Sequence, residues 1–229
     1  MNIFMPEHIE DAARDLQTKL WRTRPGCGKG SSIESILLAL EPGRAIETLG
    51  YSVVSVESLG RDTLSGSLCE VAGVLNRDEG KVYVSSHFPY VSQRFTLGHE
   101  AAHIILDVGH RILHRDIPLE RRRIERDWRE SRANRFSSAL LMPRRLVEEQ
   151  FHERFRLDKI LLTEEVSYAL FGVGTHRLRE KMRDRRALSM AVASCFAFNG
   201  RSFISLAELF KVSSLAMAIR LEELELVQW

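Results

Sequence analysis

The sequence contains little of what marks secreted, membrane-bound or disulfide-rich proteins. It has only three cysteines among 229 residues, and Cys27, Cys69 and Cys195 are widely spaced, without the paired spacing of a thiolate metal site. No apolar run reaches the length of a membrane span, and the N-terminus lacks a basic region followed by an apolar one. We therefore expect reduced, partly buried thiols in a soluble, cytoplasmic protein without a membrane partner.

A phosphate-binding loop of the nucleotide-binding type is absent as well. Gly28-Lys29 lies in a loop over residues 25–32, which is the best candidate for such a motif. However, Thr23 occupies the position of the motif's first glycine, and Lys29 is followed by Gly30 instead of Ser or Thr. These mismatches argue against a phosphate-binding loop in this segment.

What the sequence does contain is the motif His99-Glu100-Ala101-Ala102-His103. Residues four apart lie on one face of an α-helix, so both imidazoles can reach one zinc ion at about 2.0 to 2.1 Å. Glu100 lies beside that face, where its carboxylate can take a proton from an activated water. Apolar residues around the histidines would bury the helix, and a β-hairpin over residues 75–84 precedes it. The pattern predicts a zinc-binding helix within a folded domain.

A catalytic zinc site takes three protein ligands and leaves one position for water, so a third ligand has to follow downstream. The candidates are Asp107, His110, His114, Glu120, Glu125 and Glu130. Asp107 lies too far along the same helix to share the ion, and His110 would need a chain reversal just after His103. Glu130 fits best, because it opens a second helix whose other face is apolar. Asn134, one turn further, could accept a hydrogen bond from a ligand imidazole and fix its ring.

Two longer motifs surround these residues. Residues 94–103 read RFTLGHEAAH, and residues 130–143 read ESRANRFSSALLMP. In this order they resemble the ImmA/IrrE family of zinc metallopeptidases, and the resemblance covers most of residues 30–150. There are two departures: Arg132 stands where the family often has a second glutamate, and Ser137-Ser138 replaces small apolar residues. Neither is a proposed ligand, so both concern substrate or packing more than zinc.

The resemblance implies a thermolysin-like metal site, with His99, His103 and Glu130 as zinc ligands and Glu100 as the catalytic base. It also implies a partner. In this family the usual substrate is a helix-turn-helix repressor of the same operon or mobile element, which is cut at one site to switch genes on.

The net charge is only +2, but arginines crowd the segment around Glu130. They are Arg121, Arg122, Arg123, Arg126, Arg129, Arg132 and Arg135, interspersed with Glu120, Glu125 and Asp127. Charge runs of this kind are usually solvated helix faces with ion pairs. The alternative is an electropositive rim that attracts an acidic substrate or nucleic acid.

The predicted fold class is α+β. A small thermolysin-like metallopeptidase core, a short twisted sheet with the active-site helices, is expected over residues 1–155, followed by an all-helical region over residues 156–229. Helices are predicted over residues 9–21, 32–40, 44–49, 144–155, 164–170, 175–182 and 215–226, and a strand over residues 51–56. The helices around the turn at residues 171–174 have a helix-turn-helix rhythm, and a related pattern returns at residues 206–226.

Two functions follow from these patterns. The first is a zinc endopeptidase that cleaves a helix-turn-helix repressor in a stress response or mobile element, with its substrate extended along an exposed strand edge at residues 81–85. Tyr90, His110 and His114 are candidates for steadying the oxyanion. The second is a non-proteolytic regulator that binds DNA or a repressor through its C-terminal region. Basic residues at 176–186 could reach phosphates, but acidic residues at 205–229 favour a docking or structural role over direct DNA binding.

Overall fold

The structure is a computed structural model that describes residues 6–23, 32–64, 67–107, 114–116, 128–176, 182 and 184–229. The chain divides into two compact units, Met1–Leu141 and Met142–Trp229. The sequence predicts a domain boundary after residue 155, whereas the helix at Arg144–Phe155 belongs to the second compact unit. Within the described ranges, every helix is too short or too polar to cross a membrane.

The described part of the first unit contains both helices and strands, as the predicted α+β class requires. Its helices are α1 (Pro6–Arg22), α2 (Ile33–Ala39), α3 (Pro42–Thr48), α4 (Tyr90–Leu106) and α5 (Trp128–Leu141). Its strands are β1 (Ser52–Val56), β2 (Arg61–Leu64), β3 (Ser67–Glu70), β4 (Gly73–Asn76), β5 (Lys81–Ser85) and β6 (His114–Asp116). The strands β2 and β3 form a separate antiparallel hairpin.

A four-stranded sheet in the order β1-β5-β4-β6 supports the two motif helices. The predicted hairpin is confirmed, because β4 and β5 pair antiparallel with Leu75 opposite Val82. On its other side β5 pairs in parallel with β1, where Val53 lies opposite Val82. Residues 81–85 are therefore a central strand, and the prediction that they form an exposed edge for substrate is wrong. The parallel partner comes from a distant segment, which the local pattern does not reveal.

The core of the first unit lies between this sheet and helices α1, α4 and α5. Strand β5 buries Val82 and Val84 on one face, and α5 buries Phe136 and Leu140. Helix α1 packs on α5, where the side-chain amide of Gln17 donates to the carbonyls of Ala139 and Leu140 at 2.8 and 3.2 Å. These are among the last carbonyls of α5, which have no partner within the helix. The core therefore fixes α5 from one side while α4 contacts it from another.

The described part of the second unit contains helices and short strands. Its helices are α6 (Arg144–Phe155), α7 (Glu164–Phe171), α8 (Arg185–Ala193), α9 (Leu206–Phe210) and α10 (Ser214–Glu223). Its strands are β7 (Ile160–Leu161), β8 (Ala197–Phe198), β9 (Arg201–Ser202) and β10 (Val227–Gln228). The strands β8 and β9 form an antiparallel hairpin, and β7 pairs in parallel with β10.

The prediction of an all-helical C-terminal region is therefore wrong. The β8–β9 hairpin has a local signal, because Asn199 and Gly200 both take positive φ angles of 47° and 75°. An Asn-Gly pair between alternating residues is a strong hairpin signal. The β7–β10 pair joins segments far apart in sequence, so local periodicity could not reveal it.

The helix-turn-helix prediction is not confirmed. Helix α9 ends at Phe210 with Lys211 as its C-cap, and Ser213 caps α10 by accepting a hydrogen bond from the amide of Ala216. Every residue of α10 is buried or half-buried, whereas a DNA-reading helix needs a free face for the major groove. For the other predicted pair, most of the second helix at residues 175–182 lies outside the described residues.

Candidate metal centre

Helix α4 places the first three site residues inside the protein. His99 and His103 lie one turn apart on this helix, and Glu100 directly follows His99. His99 and Glu100 have no exposed surface, and 4% of His103 is exposed. Polar side chains with this degree of burial normally have polar partners. The geometry of their partners therefore indicates what the site can do.

Helix α5 contacts α4 closely beside the motif. The hydroxyl of Ser137 donates to the main-chain carbonyl of Phe95 at 2.8 Å. A Cβ atom at Gly98 would lie 2.5 Å from that hydroxyl oxygen, so only glycine allows this approach. Ser137, one of the departures from the family pattern, thus has a packing role. The close approach brings Glu130, in the first turn of α5, to the histidines of α4.

The structure brings together the three residues predicted as metal ligands. Nε2 of His99 lies 2.9 Å from Nε2 of His103. The Glu130 carboxylate oxygens lie 3.2 Å from Nε2 of His99 and 3.5 Å from Nε2 of His103. One ligand atom of each residue lies within 4.8 Å of the others, so the group could hold a metal ion. Glu130 is half-buried, whereas both histidines are buried.

The Nδ1 atoms of both rings, which point away from the three-residue group, contact oxygen acceptors. Nδ1 of His99 lies 3.0 Å from the amide oxygen of Asn134, and Nδ1 of His103 lies 2.6 Å from a carboxylate oxygen of Asp107. Because both oxygens accept, each Nδ1 donates in this geometry, and a ring without a second proton presents its Nε2 lone pair. Lone pairs that meet at 2.9 Å next to a carboxylate repel each other unless positive charge lies among them. Nitrogen and oxygen donors of this kind suit zinc.

Asp107 has a different role from the one weighed in the sequence, where it is a candidate ligand too far along the helix to share the ion. Its carboxylate instead accepts a hydrogen bond from His103, four residues earlier. The signal was present, because side chains four apart on a helix are neighbours. Burial raises the pKa of the Asp107 carboxyl, but the bond with His103 and the charges of His103 and Arg132 hold that pKa below its ordinary value.

The carboxylate of Glu100 lies against strand β4. A Cβ atom at Gly73, the first residue of β4, would overlap the methyl group of Thr96 and lie 3.1 Å from a carboxylate oxygen of Glu100. The space that Gly73 leaves therefore sets where this carboxylate can lie. No local pattern distinguishes Gly73, because its role depends on how β4 packs on α4.

The arginine cluster around Glu130 is only partly described, and its described members are not a solvated face. Arg132 is buried, and Arg129 and Arg135 are half-buried. The guanidinium of Arg132 donates to the carbonyl of Leu106 at 3.3 Å and lies 4.8 Å from the centre of the Trp128 ring. Arg132, the other departure from the family pattern, thus supports the end of α4. Residues 117–127, with the remaining charges of the cluster, lie outside the described residues.

The candidates for steadying the oxyanion gain no support. Tyr90 opens α4, and its exposed hydroxyl donates to Glu41 at 3.2 Å. Nine residues separate it from His99, which is about 14 Å along a helix axis. His110 lies outside the described residues, and of His114 only the backbone is described.

Basic residues predicted as possible DNA contacts are engaged within the second unit. Arg185 donates to the carbonyls of Val227 and Glu222 at 3.0 Å each. Arg186 makes two hydrogen bonds of 2.8 Å to the carboxylate of Glu222. Residues 177–181 and 183, which include the other arginines of that stretch, lie outside the described residues.

A mixed α and β unit that joins two histidines and a glutamate from adjacent helices has the architecture of a metallopeptidase-type site. Residues 69–182 match the family model described as IrrE N-terminal-like domain, Peptidase M78. The chain therefore belongs, through this domain, to the ImmA/IrrE family, as its motifs predicted. A comparison with curated proteins gave no match. The family supports a metallopeptidase-type function.

Proposed function

We propose that the chain is a zinc-dependent endopeptidase that cleaves a helix-turn-helix transcriptional repressor at one site and thereby switches on the genes under its control. The observation that carries this proposal is the convergence of His99, His103 and Glu130 on one point, with ligand atoms within 4.8 Å of one another. Family membership supports the peptidase chemistry. The substrate class is supported by the resemblance to ImmA/IrrE proteins.

In this proposal His99, His103 and Glu130 hold the zinc ion. When bound in such a site, zinc polarises a carbonyl oxygen and lowers the pKa of water to near 7. Asn134 and Asp107 orient the two rings by accepting hydrogen bonds from their Nδ1 atoms. Such partners fix the tautomer and leave Nε2 available as a ligand atom.

Glu100 acts as the proton carrier. Its carboxylate takes a proton from water as the water oxygen adds to the peptide carbonyl, and then delivers this proton to the amine as the carbon–nitrogen bond breaks. Burial of Glu100 keeps its carboxylate in place between α4 and Gly73. A positioned acid–base group of this kind contributes about 10²- to 10⁴-fold to the rate.

The substrate path has to differ from the one predicted from sequence, since β5 is central in the sheet. Among the described strands, β1 and β6 are the outer members of the sheet. Asp116 of β6 lies opposite Gly73, the residue that packs beside Glu100. We place an extended substrate along β6, where main-chain hydrogen bonds to a sheet edge would present its peptide bonds to the site.

The test replaces Glu100 by Gln, which keeps the size of the side chain and removes its charge. The reading frames next to the gene are searched for a helix-turn-helix repressor, and the variant is co-expressed with the repressor found there and a reporter gene under its control. We expect intact zinc content by elemental analysis, a fall in repressor fragments by about 10²- to 10⁴-fold in mass spectrometry, and a repressed reporter.

Glu149→Gln is the matched control, because Glu149 is an exposed glutamate on α6, and it should cleave like the original chain. The alternative is a regulator that keeps the metal site but acts by binding DNA or the repressor. If Glu100→Gln retains zinc and relieves repression as well as the original chain, the peptidase proposal fails and the alternative stands.

A further inference from the structure

The two histidines of the candidate centre have different partners behind them. His99 contacts the neutral amide of Asn134, whereas His103 contacts the anionic carboxylate of Asp107 at the shorter distance of 2.6 Å. A carboxylate partner holds an imidazole more strongly than an amide does, because a charged acceptor makes the stronger hydrogen bond. The two rings are therefore not held equivalently.

Asp107 occupies a defined place where helix α4 ends. Its backbone leaves the helical region, with φ at −112° and ψ at 45°, while its amide still donates to the carbonyl of His103 at 3.2 Å. Its side chain is only 13% exposed. The carboxylate thus folds back along the helix to His103 and does not extend into solvent.

Two arginines from different elements hold this helix end. Arg77, in the turn after β4, donates to the carbonyls of His103 and Asp107 at 2.6 and 3.3 Å. Arg132 of α5 donates to the carbonyl of Leu106 at 3.3 Å. The last carbonyls of a helix lack partners within it and carry partial negative charge, so cationic donors stabilise them. Both arginines therefore fix the segment from His103 to Asp107.

We propose that Asp107 is a positioning residue of the metal centre, which holds His103 through Nδ1 and is itself held in place by Arg77 and Arg132. The proposal rests on the proposed function, since it assumes that His103 is a zinc ligand. A carboxylate behind a ligand imidazole fixes the ring and makes it a better donor, and loss of such a partner typically lowers metal affinity 10- to 100-fold.

The first experiment measures zinc affinity without any peptidase assay. Zinc is titrated into the metal-free chain in competition with a coloured chelator, for the original chain and for Asp107→Ala and Asp107→Asn. We expect a loss of affinity of about 10- to 100-fold for Asp107→Ala. Asp107→Asn should lose less, because its amide oxygen can still accept from His103 but carries no charge. Asp158→Asn is the matched control, since 99% of the Asp158 side chain is exposed.

The second experiment examines the ring itself by nitrogen NMR of the metal-free chain. In the original chain the proton of His103 should reside on Nδ1, and in Asp107→Ala it should be shared between both ring nitrogens. Replacement of Arg77 by Met, which leaves the carboxylate in the chain, should lower zinc affinity in the same direction. This variant keeps the proposal testable if Asp107→Ala does not fold.

The outcomes separate the two proposals. If the original chain takes up no zinc, the proposed function fails. If it binds zinc and both Asp107 variants bind it equally tightly, only the role of Asp107 fails. A variant that loses stability but keeps its zinc affinity and its His103 tautomer would give Asp107 a purely structural role and overturn the proposal.

Discussion

The polar side chains of the candidate metal centre in the first unit are arranged differently from the buried arginines of the second unit. In the first unit, His99, His103 and Glu130 come from two helices and face one another within 4.8 Å. In the second unit, Arg154 and Arg220 donate from Nε to the main-chain carbonyls of Ile204 and Met142 at 2.8 and 3.0 Å. In the first arrangement, atoms with lone pairs meet at one point. In the second, each hydrogen-bond donor meets a nearby acceptor.

This difference separates a candidate site from structural use of charge. Burying a charge is costly unless it is paired and hydrogen-bonded. An arginine that donates hydrogen bonds to main-chain carbonyls of helices and loops meets that condition and needs no ligand. The Nδ1 atoms of His99 and His103 contact acceptors, while their Nε2 atoms face each other. This arrangement meets the same condition when a cation lies between the Nε2 atoms. Partners, more than residue type or burial, therefore indicate function.

Arg220→Met should have the largest effect on stability, and it tests whether a buried arginine of the second unit has a structural role. Arg220 is fully buried and also contacts Glu223 at 3.3 Å. Its replacement leaves the Met142 carbonyl without this donor, so we expect the free energy of unfolding to fall by roughly 3 kcal/mol. Denaturant titration measures the change, and zinc affinity should not change.

Arg145→Met serves as control, because Arg145 forms an exposed pair with Glu149 and has 89% of its side chain exposed. Its free energy of unfolding should change by less than about 0.5 kcal/mol. If Arg220→Met is as stable as the original chain, or if it loses zinc affinity, the arginines of the second unit do not have a purely structural role.

A smaller effect is expected when Gly73 is replaced by Ala. The added Cβ would overlap the Thr96 methyl group and press on the carboxylate of Glu100. A displacement of about 1 Å at a catalytic group can cost 10²-fold in rate, so repressor cleavage should fall by up to about 100-fold while zinc affinity stays unchanged. Cleavage kinetics and chelator competition measure the two quantities.

Gly43→Ala provides the comparison, since a Cβ atom there meets nothing within 4 Å. It should leave cleavage unchanged and slightly stabilise helix α3, because alanine is the better helix former. Normal cleavage by Gly73→Ala would show that the position of Glu100 does not depend on β4.

The smallest expected effect concerns the pair between Arg186 and Glu222. Burial raises the pKa of Glu222, but the hydrogen bonds from Arg186 and Ser189, together with the charges of Arg186 and Arg185, hold the pKa below its ordinary value. The stability from this group is therefore present above the unfolded pKa of about 4.3 and is lost as the pH falls through the lower folded pKa. Because 40% of the Arg186 side chain is exposed, the contribution should be below about 1 kcal/mol.

Glu222→Gln should accordingly be less stable than the original chain at pH 7, and the difference should shrink in acid. Thermal unfolding from pH 7 to pH 3 measures this trend, with the exposed Glu149→Gln as control. A difference that stays constant over this range would mean that ionisation of Glu222 does not stabilise the second unit.

Local patterns in the sequence were sufficient for the parts of the molecule that depend on helix periodicity. The motif helix, the β4–β5 hairpin and the helix at Arg144–Phe155 occur as predicted. The spacing of Glu130 and Asn134, one turn apart, also predicted their joint approach to α4. These features follow from which residues share a helix face, and that property is readable from sequence.

Features that depend on distant contacts were missed or misplaced. The central position of β5 follows from its parallel pairing with β1, and the role of Gly73 follows from the packing of β4 on α4. The contact between Asp107 and His103 is predictable, since the two residues are four apart on a helix, but the sequence prediction treats Asp107 only as a candidate ligand. The Asn199-Gly200 pair also predicts a hairpin, but the helical pattern of the residues on either side favoured helices throughout this region.

X-ray absorption at the zinc edge shows whether His99, His103 and Glu130 together hold one zinc ion. The spectrum is recorded for the purified zinc-loaded chain and for Glu130→Ala. We expect one zinc per chain with nitrogen and oxygen ligands near 2.0 to 2.1 Å, and a weakened or lost zinc signal in the variant. Failure to take up zinc, sulfur ligands at about 2.3 Å, or an unchanged spectrum in Glu130→Ala would contradict this expectation.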